Sequence, residues 1–178
     1  IPNKELLMLT LLHKAYYRYG ASVLERETDE CVSTLLKAVR RLTHEAHQLT
    51  GFVRFSEIDG ALVAVIHPKN WVLPLLSEHF CARYPQENFL LADASHSMAL
   101  LHTPQKTEII RAEAFEIPQP DAEEQHFRRL WRLYYRTIAI EQRVNPKARM
   151  SHMQKRYWKD MTEMTEDGDL PPANTFLP

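Results

Sequence analysis

The stretch Phe52-Val53-Arg54-Phe55-Ser56-Glu57-Ile58, Asp59-Gly60, Ala61-Leu62-Val63-Ala64-Val65-Ile66 decides the fold class. Two runs rich in aromatic and β-branched residues flank an Asp-Gly pair, which supplies the positive φ angles of a tight hairpin turn. Working back from it, Val32, Leu35, Leu36, Val39, Leu42, Ala46 and Leu49 keep helical spacing. That helix is expected to start with Thr28 or Asp29 as its N-cap and to end at Gly51. A further helix is expected over residues 4–19, stopped by Gly20.

Working forward, Pro68 opens a helix to about Arg83, with Pro74 marking a kink or a later start. Residues 89–93, 97–102 and 107–115 read as three more strands joined by short polar turns. Five short strands with hairpin-length links predict an α+β fold. The expected architecture is an antiparallel sheet of about five short strands covered by helices, with helical N- and C-terminal parts. Pro118-Gln119-Pro120 is a stiff break, after which Asp121 caps a helix to about Arg143. Asn145-Pro146 interrupts it, and a last helix covers about Ser151 to Glu163. Residues 1–164 are thus expected to form one domain: 1–50 helical, 51–117 sheet with one helix, and 121–164 a basic helical part. The Pro/Asp-rich residues 165–178 are expected to be a mobile tail.

The 178 residues are 44% hydrophobic and 25% charged, an ordinary globular composition with enough apolar material for a core. No window offers the apolar length of a membrane span, and no secretory signal precedes the first helix. Cys31 and Cys81 cannot build a disulfide framework, so a reducing, cytoplasmic location is expected. The net charge of −1 conceals an asymmetry: residues 128–159 hold seven arginines and three lysines against Glu141 alone, a local balance of +9.

On a helical wheel Phe127, Leu130, Trp131, Tyr134 and Ile138 fall within an arc of about 100° and read as the core-facing stripe. Arg128, Arg129, Arg132, Arg136 and Arg143 share another arc of about 100° with no acid among them. Like charges four residues apart repel by a few tenths of a kcal/mol, so this face calls for something negative. An external polyanion meets that need. So would Glu113, Glu116, Glu123 and Glu124 within the fold. Lys155-Arg156-Tyr157-Trp158-Lys159 then interleaves cations with aromatics, a pattern suited to phosphate contact with base stacking. Met153, Tyr157, Met161 and Met164 fit equally a buried helical stripe with the cations outside.

Several blocks carry a resemblance. Gly51 to Glu57, Val72 to Leu76, His79-Phe80, Arg83, Leu130-Trp131, Tyr134, Ile138 to Arg143, Asn145-Pro146 and Arg156-Tyr157-Trp158 stand in the order of a bacterial family of DNA metabolism proteins of unknown function, which the chain resembles over about residues 30–164. The resemblance implies a role in DNA modification or repair beside a radical S-adenosylmethionine protein. A similar domain is also found fused to uracil-DNA glycosylase-like domains. It transfers no catalytic residues. Gln154 stands where the family motif carries proline. The family's Asp-Gly and Phe-Glu-Gly type N-terminal opening is not found, so the chain is expected to be truncated.

Signals for chemistry are sparse. His44-Glu45-Ala46-His47 is one residue short of a zinc-protease spacing and lacks a third ligand, and no metal is expected. His67, His79, Cys81, Asp93, His96 and His102 would need the fold to gather them. The four glycines form no phosphate loop or dinucleotide fingerprint, and no cysteine motif supports an iron–sulfur cluster, so no cofactor is expected. Glu57, His79 and Asp93 are acid–base candidates beside predicted sheet elements, with Arg54 and Arg83 as anion clamps. The leading expectation is a DNA-binding accessory domain using Arg128, Arg132, Arg136, Arg143, Lys155, Arg156 and Trp158. The rivals are an enzyme acting on a nucleotide or base, and a module docking an acidic protein.

Overall fold

The structure is a computed structural model and describes residues 4–112, 121–138 and 145–164. The chain divides into two compact units, Ile1–His47 and Gln48–Pro178. In the first, α1 (Lys4–Tyr19) runs into a 3-10 turn, Gly20–Glu25, and then into α2 (Glu30–Phe52), whose last turn belongs to the second unit. Ala15, Val23 and Val32 form a small core flanked by Tyr19 and Leu36. Asp29 caps α2, its Oδ1 accepting from the amides of Cys31 at 2.9 Å and Val32 at 3.3 Å. Gly51 does not end α2, which continues through Phe52.

The second unit is built on a five-stranded sheet ordered β1-β2-β3-β4-β5, comprising Ser56–Ile58, Ala61–Ile66, Phe89–Asp93, Met98–Thr103 and Lys106–Arg111. Asp59 and Gly60 close the first hairpin with φ of 50° and 76°, pairing Ile58 with Ala61 as the Asp-Gly signal demands. The sheet is mixed: β2 and β3 pair in parallel and the other neighbours antiparallel. The cause is α3 (Leu73–Arg83), which returns the chain across the sheet before β3 begins, as a parallel connection requires. Pro74 sits in its first turn, where a missing amide costs nothing.

Register places Leu62, Ala64, Ile66, Phe89, Leu91, Asp93, Leu100, His102 and Thr107 on one face. Leu73, Leu76 and Phe80 of α3 are buried against it, and the Phe55 ring stands edge-on to those of Phe80 and Phe89. Each fully buried leucine contributes about 1.5–3 kcal/mol. β5 is a solvent-facing edge guarded by Lys106, Glu108 and Arg111.

Of the helix expected to run to Arg143, residues 139–144 lie outside the described residues. α4 (Ala122–Thr137) begins at Asp121, whose carboxylate accepts from the Glu124 amide at 2.8 Å. Asn145 and Pro146, expected to interrupt the helix, start a short α5 (Pro146–His152). The expected helix from Ser151 to Glu163 is replaced by 3-10 segments at Lys155–Asp160 and Thr162–Met164. Residues 165–178 lie outside the described residues. No described helix is long and apolar enough to cross a membrane.

Candidate nucleic-acid interface

α4 faces the opposite way from the polarity of its sequence. Phe127, Leu130, Trp131, Tyr134 and Ile138, expected in the core, are 40–56% exposed, whereas Arg132 is 7% exposed. Specific partners turn the arginines inward. Arg128 donates from Nε to Glu124 Oε1 at 2.8 Å and from Nη2 to Ser56 Oγ at 2.6 Å. The Glu57 amide reaches Glu124 Oε2 at 3.4 Å, so the start of α4 is stitched to β1. Arg132 donates from Nε to the Thr162 carbonyl at 2.9 Å. Burial, then the charges of Arg128 and Arg136, push its guanidinium below its ordinary value.

Arg54 is likewise engaged. It holds Glu163 with two bonds, Nε to Oε2 at 3.1 Å and Nη2 to Oε1 at 2.5 Å, and lies 5.7 Å over the Trp131 ring. Trp131 Nε1 donates to the same carboxylate at 3.0 Å. Burial acts to raise the Glu163 carboxyl, but these bonds and the Arg54 charge outweigh it and hold the group below its usual range. Arg156 bonds the Tyr157 hydroxyl and covers that ring, and Tyr157 is buried against Phe52. Arg83 is exposed and rests on Tyr84. Arg143 lies outside the described residues. Arg54, Arg128, Arg132 and Arg156 therefore all have structural work.

The exposed cations are a different set: Arg129, Arg136, Lys147, Arg149, Lys155 and Lys159. Among the described residues no carboxylate forms an ion pair with any of them. Trp158 organises two. Arg149 and Lys155 lie 5.2 and 5.7 Å from its ring centroid, while Nε1 is fixed to the Met153 carbonyl at 3.0 Å. Trp158 thus serves as a bracket for cations, with its ring half-buried.

The acid–base candidates do not converge. Glu57 is in register with Leu62 and Phe89, two strands across and four residues along from Asp93, roughly 16 Å away. His79 points outward from α3 against Phe80. Asp93 is fully buried and organises the β3–β4 turn, accepting from the amides of Ser95 and His96 and from His96 Nδ1. Burial pushes its carboxyl up against the pull of His96. The fold instead gathers groups far apart in sequence. His67 meets Asp160, and Cys81 Sγ lies 3.4 Å from His102 Nδ1, which also meets Thr107 Oγ1 at 2.7 Å. No short-range pattern announces these pairs, because their separations run from 5 to 93 residues.

No curated protein and no solved structure matches the chain. Residues 2–163 match DUF4130, described as a domain of unknown function, and the chain belongs to that family.

Proposed function

We propose that the chain is a nucleic-acid-binding accessory domain in bacterial DNA modification or repair. The observation that carries this reading is the set of six exposed cations in the C-terminal helical part, none of which forms an ion pair with a carboxylate among the described residues. Phosphate contacts from such a set position a strand without reading its sequence, so weak sequence preference is expected. Exposed Phe127 and Tyr134 on the same helix offer faces on which unpaired bases can stack, which favours single strands over duplex. The resemblance to DNA metabolism proteins selects DNA among polyanions and supplies the radical S-adenosylmethionine protein as the proposed partner.

The test is fluorescence anisotropy with a single-stranded oligonucleotide at several salt concentrations. Arg149→Ala/Lys155→Ala/Lys159→Ala removes three contacts and is expected to flatten the log K against log salt slope by about 2. An absence of binding by the wild type at low salt would sink the reading.

A second reading has its own support. The stripe Phe127, Leu130, Trp131, Tyr134 and Ile138 is an exposed apolar face of the kind that marks protein docking. It predicts capture of the partner protein that Leu130→Lys abolishes and that tolerates high salt.

A further inference from the structure

The sheet face under α3 gathers a thiol, an imidazole and two hydroxyls that the basic surface does not use. Ser77 and Cys81 stand one turn apart on α3 and so share a face of that helix. His102 of β4 and Thr107 of β5 are register partners on the sheet face that α3 covers. Cys81 Sγ lies 3.4 Å from His102 Nδ1, 3.6 Å from Thr107 Oγ1 and 3.8 Å from Ser77 Oγ. Thr107 Oγ1 is also 2.7 Å from His102 Nδ1, so sulfur, imidazole and hydroxyl close a triangle. Cys81 is half-buried and Thr107 is exposed on the edge strand, which leaves the sulfur within reach of a small solute.

The imidazole is the member that packing does not account for. His102 is 8% exposed and stacks on Phe89 at 4.7 Å. Its Nε2 is buried without a hydrogen-bond partner among the described residues. A phenyl ring would fill the same space against Phe89 and strand no nitrogen, so burial alone does not call for histidine. On the other side of the ring, Nδ1 faces two groups able to donate, the Cys81 thiol and the Thr107 hydroxyl. That surrounding suits an accepting nitrogen, with the ring hydrogen on Nε2. A thiol becomes a nucleophile by losing its proton, and a contacting imidazole is a common acceptor. Metal ligation does not fit the cluster, because among the described residues no third His, Cys, Asp or Glu joins the pair.

We infer that Cys81 is a redox-modification site for a small hydroperoxide, with His102 as its base. The thiol proton passes to His102 Nδ1, and the sulfur attacks one peroxide oxygen. The S–O bond forms as the O–O bond breaks, and Nδ1 returns the proton to the departing oxygen. Hydrogen peroxide thus ends as water, reduced by two electrons, and Cys81 ends as a sulfenic acid, oxidised by two. The Thr107 and Ser77 hydroxyls stand beside the sulfur, where they can donate to the peroxide oxygens as charge develops. The site is separate from strand binding, and its test needs no nucleic acid.

Cys31 provides a control in the same molecule: it too is half-buried, and its sulfur makes no hydrogen bond among the described residues. The reduced whole chain is exposed to hydrogen peroxide at neutral pH with dimedone, which traps sulfenic acids, and both cysteines are followed by peptide mass spectrometry. Cys81 is expected to be trapped about tenfold faster than Cys31, within the gain of about thirtyfold that deprotonating an ordinary thiol allows at neutral pH. His102→Phe is expected to bring Cys81 down to the Cys31 rate while the urea midpoint holds, which separates loss of the base from loss of packing. Thr107→Val, at an exposed position, is expected to slow Cys81 and leave Cys31 unchanged, and Thr107→Ser to restore the rate. Equal trapping of the two cysteines in the wild type, or a Cys81 rate that neither His102→Phe nor Thr107→Val lowers, would overturn the assignment.

Discussion

Leu130→Lys and Arg132→Ala perturb opposite sides of α4, and their costs depend on which side meets the protein. Leu130 is 46% exposed, so about half of its surface is already in water. Full burial of a leucine is worth about 1.5–3 kcal/mol, and a lysine stem keeps part of the remaining contact. Leu130→Lys should therefore cost less than about 1 kcal/mol. Arg132 is 7% exposed and donates to the Thr162 carbonyl at 2.9 Å. Losing a hydrogen bond from a charged group costs about 1.5–3 kcal/mol, and the buried stem adds packing. Relief of repulsion from Arg128 and Arg136 returns a few tenths each. Arg132→Ala should cost about 2 kcal/mol. Urea unfolding is the assay: with a slope of about 2 kcal/mol/M, Arg132→Ala lowers the midpoint by about 1 M and Leu130→Lys by less than about 0.5 M. A midpoint drop of about 1 M for Leu130→Lys with Arg132→Ala unchanged would refute the inward arginine face and restore the apolar stripe to the core.

Three further outcomes follow from single residues. Glu163 is held below its ordinary range by Arg54 and Trp131 despite burial, so its contribution is complete above the unfolded value of 4.5 and is lost as pH falls through the lower folded value. Glu163→Gln should flatten the acid limb of urea midpoint against pH, and Arg54→Ala should cost about 3 kcal/mol at neutral pH by stranding a buried carboxylate. A steep acid limb that survives in Glu163→Gln would disprove the linkage. Asp93 has the opposite sign: burial raises its carboxyl, so its contribution is present below the unfolded value of 3.8 and is lost as pH rises through the folded value. Relative to wild type, Asp93→Asn should gain ground between pH 3 and pH 7, and losing ground over that interval would contradict burial as the dominant cause. Gly60→Ala, at φ of 76°, should cost about 1 kcal/mol in thermal or urea unfolding, whereas stabilisation would mean that the turn does not need positive φ.

Local chemistry was legible where the decisive partner lies within a few residues. Asp59-Gly60 forces its hairpin, Asp29 and Asp121 cap the helices that follow them, and Pro74 fits a first turn. The parallel β2–β3 pair was readable but missed. An eleven-residue helix between two strands is the usual signature of a parallel crossover, and strand counting alone gave it no weight. The helix expected from Ser151 does not form, because α5 ends at His152 and 3-10 turns around Trp158 follow. Clusters such as His67 with Asp160, 93 residues apart, are set by the order of strands and leave no periodic trace.

The facing of α4 exposes the limit of a helical wheel, which ranks faces by polarity and is blind to partners. Arg128 reaches Ser56 across 72 residues and Arg132 reaches Thr162 across 30, and these bonds take the helix inward against its own hydrophobic arc. The cation count of the segment therefore overstates its contact surface. Residues 128–159 hold ten cations, yet Arg128, Arg132 and Arg156 are engaged by the fold, and Arg143 lies outside the described residues. Six remain, and seven with Arg143, which sets the salt slope of this segment with single strands at about −4 to −5, against about −7 if all ten met phosphates. A measured slope much steeper than −5 would require the inward arginines to leave Glu124, Ser56 and Thr162 on binding, and the strand would then remodel α4 rather than dock on it.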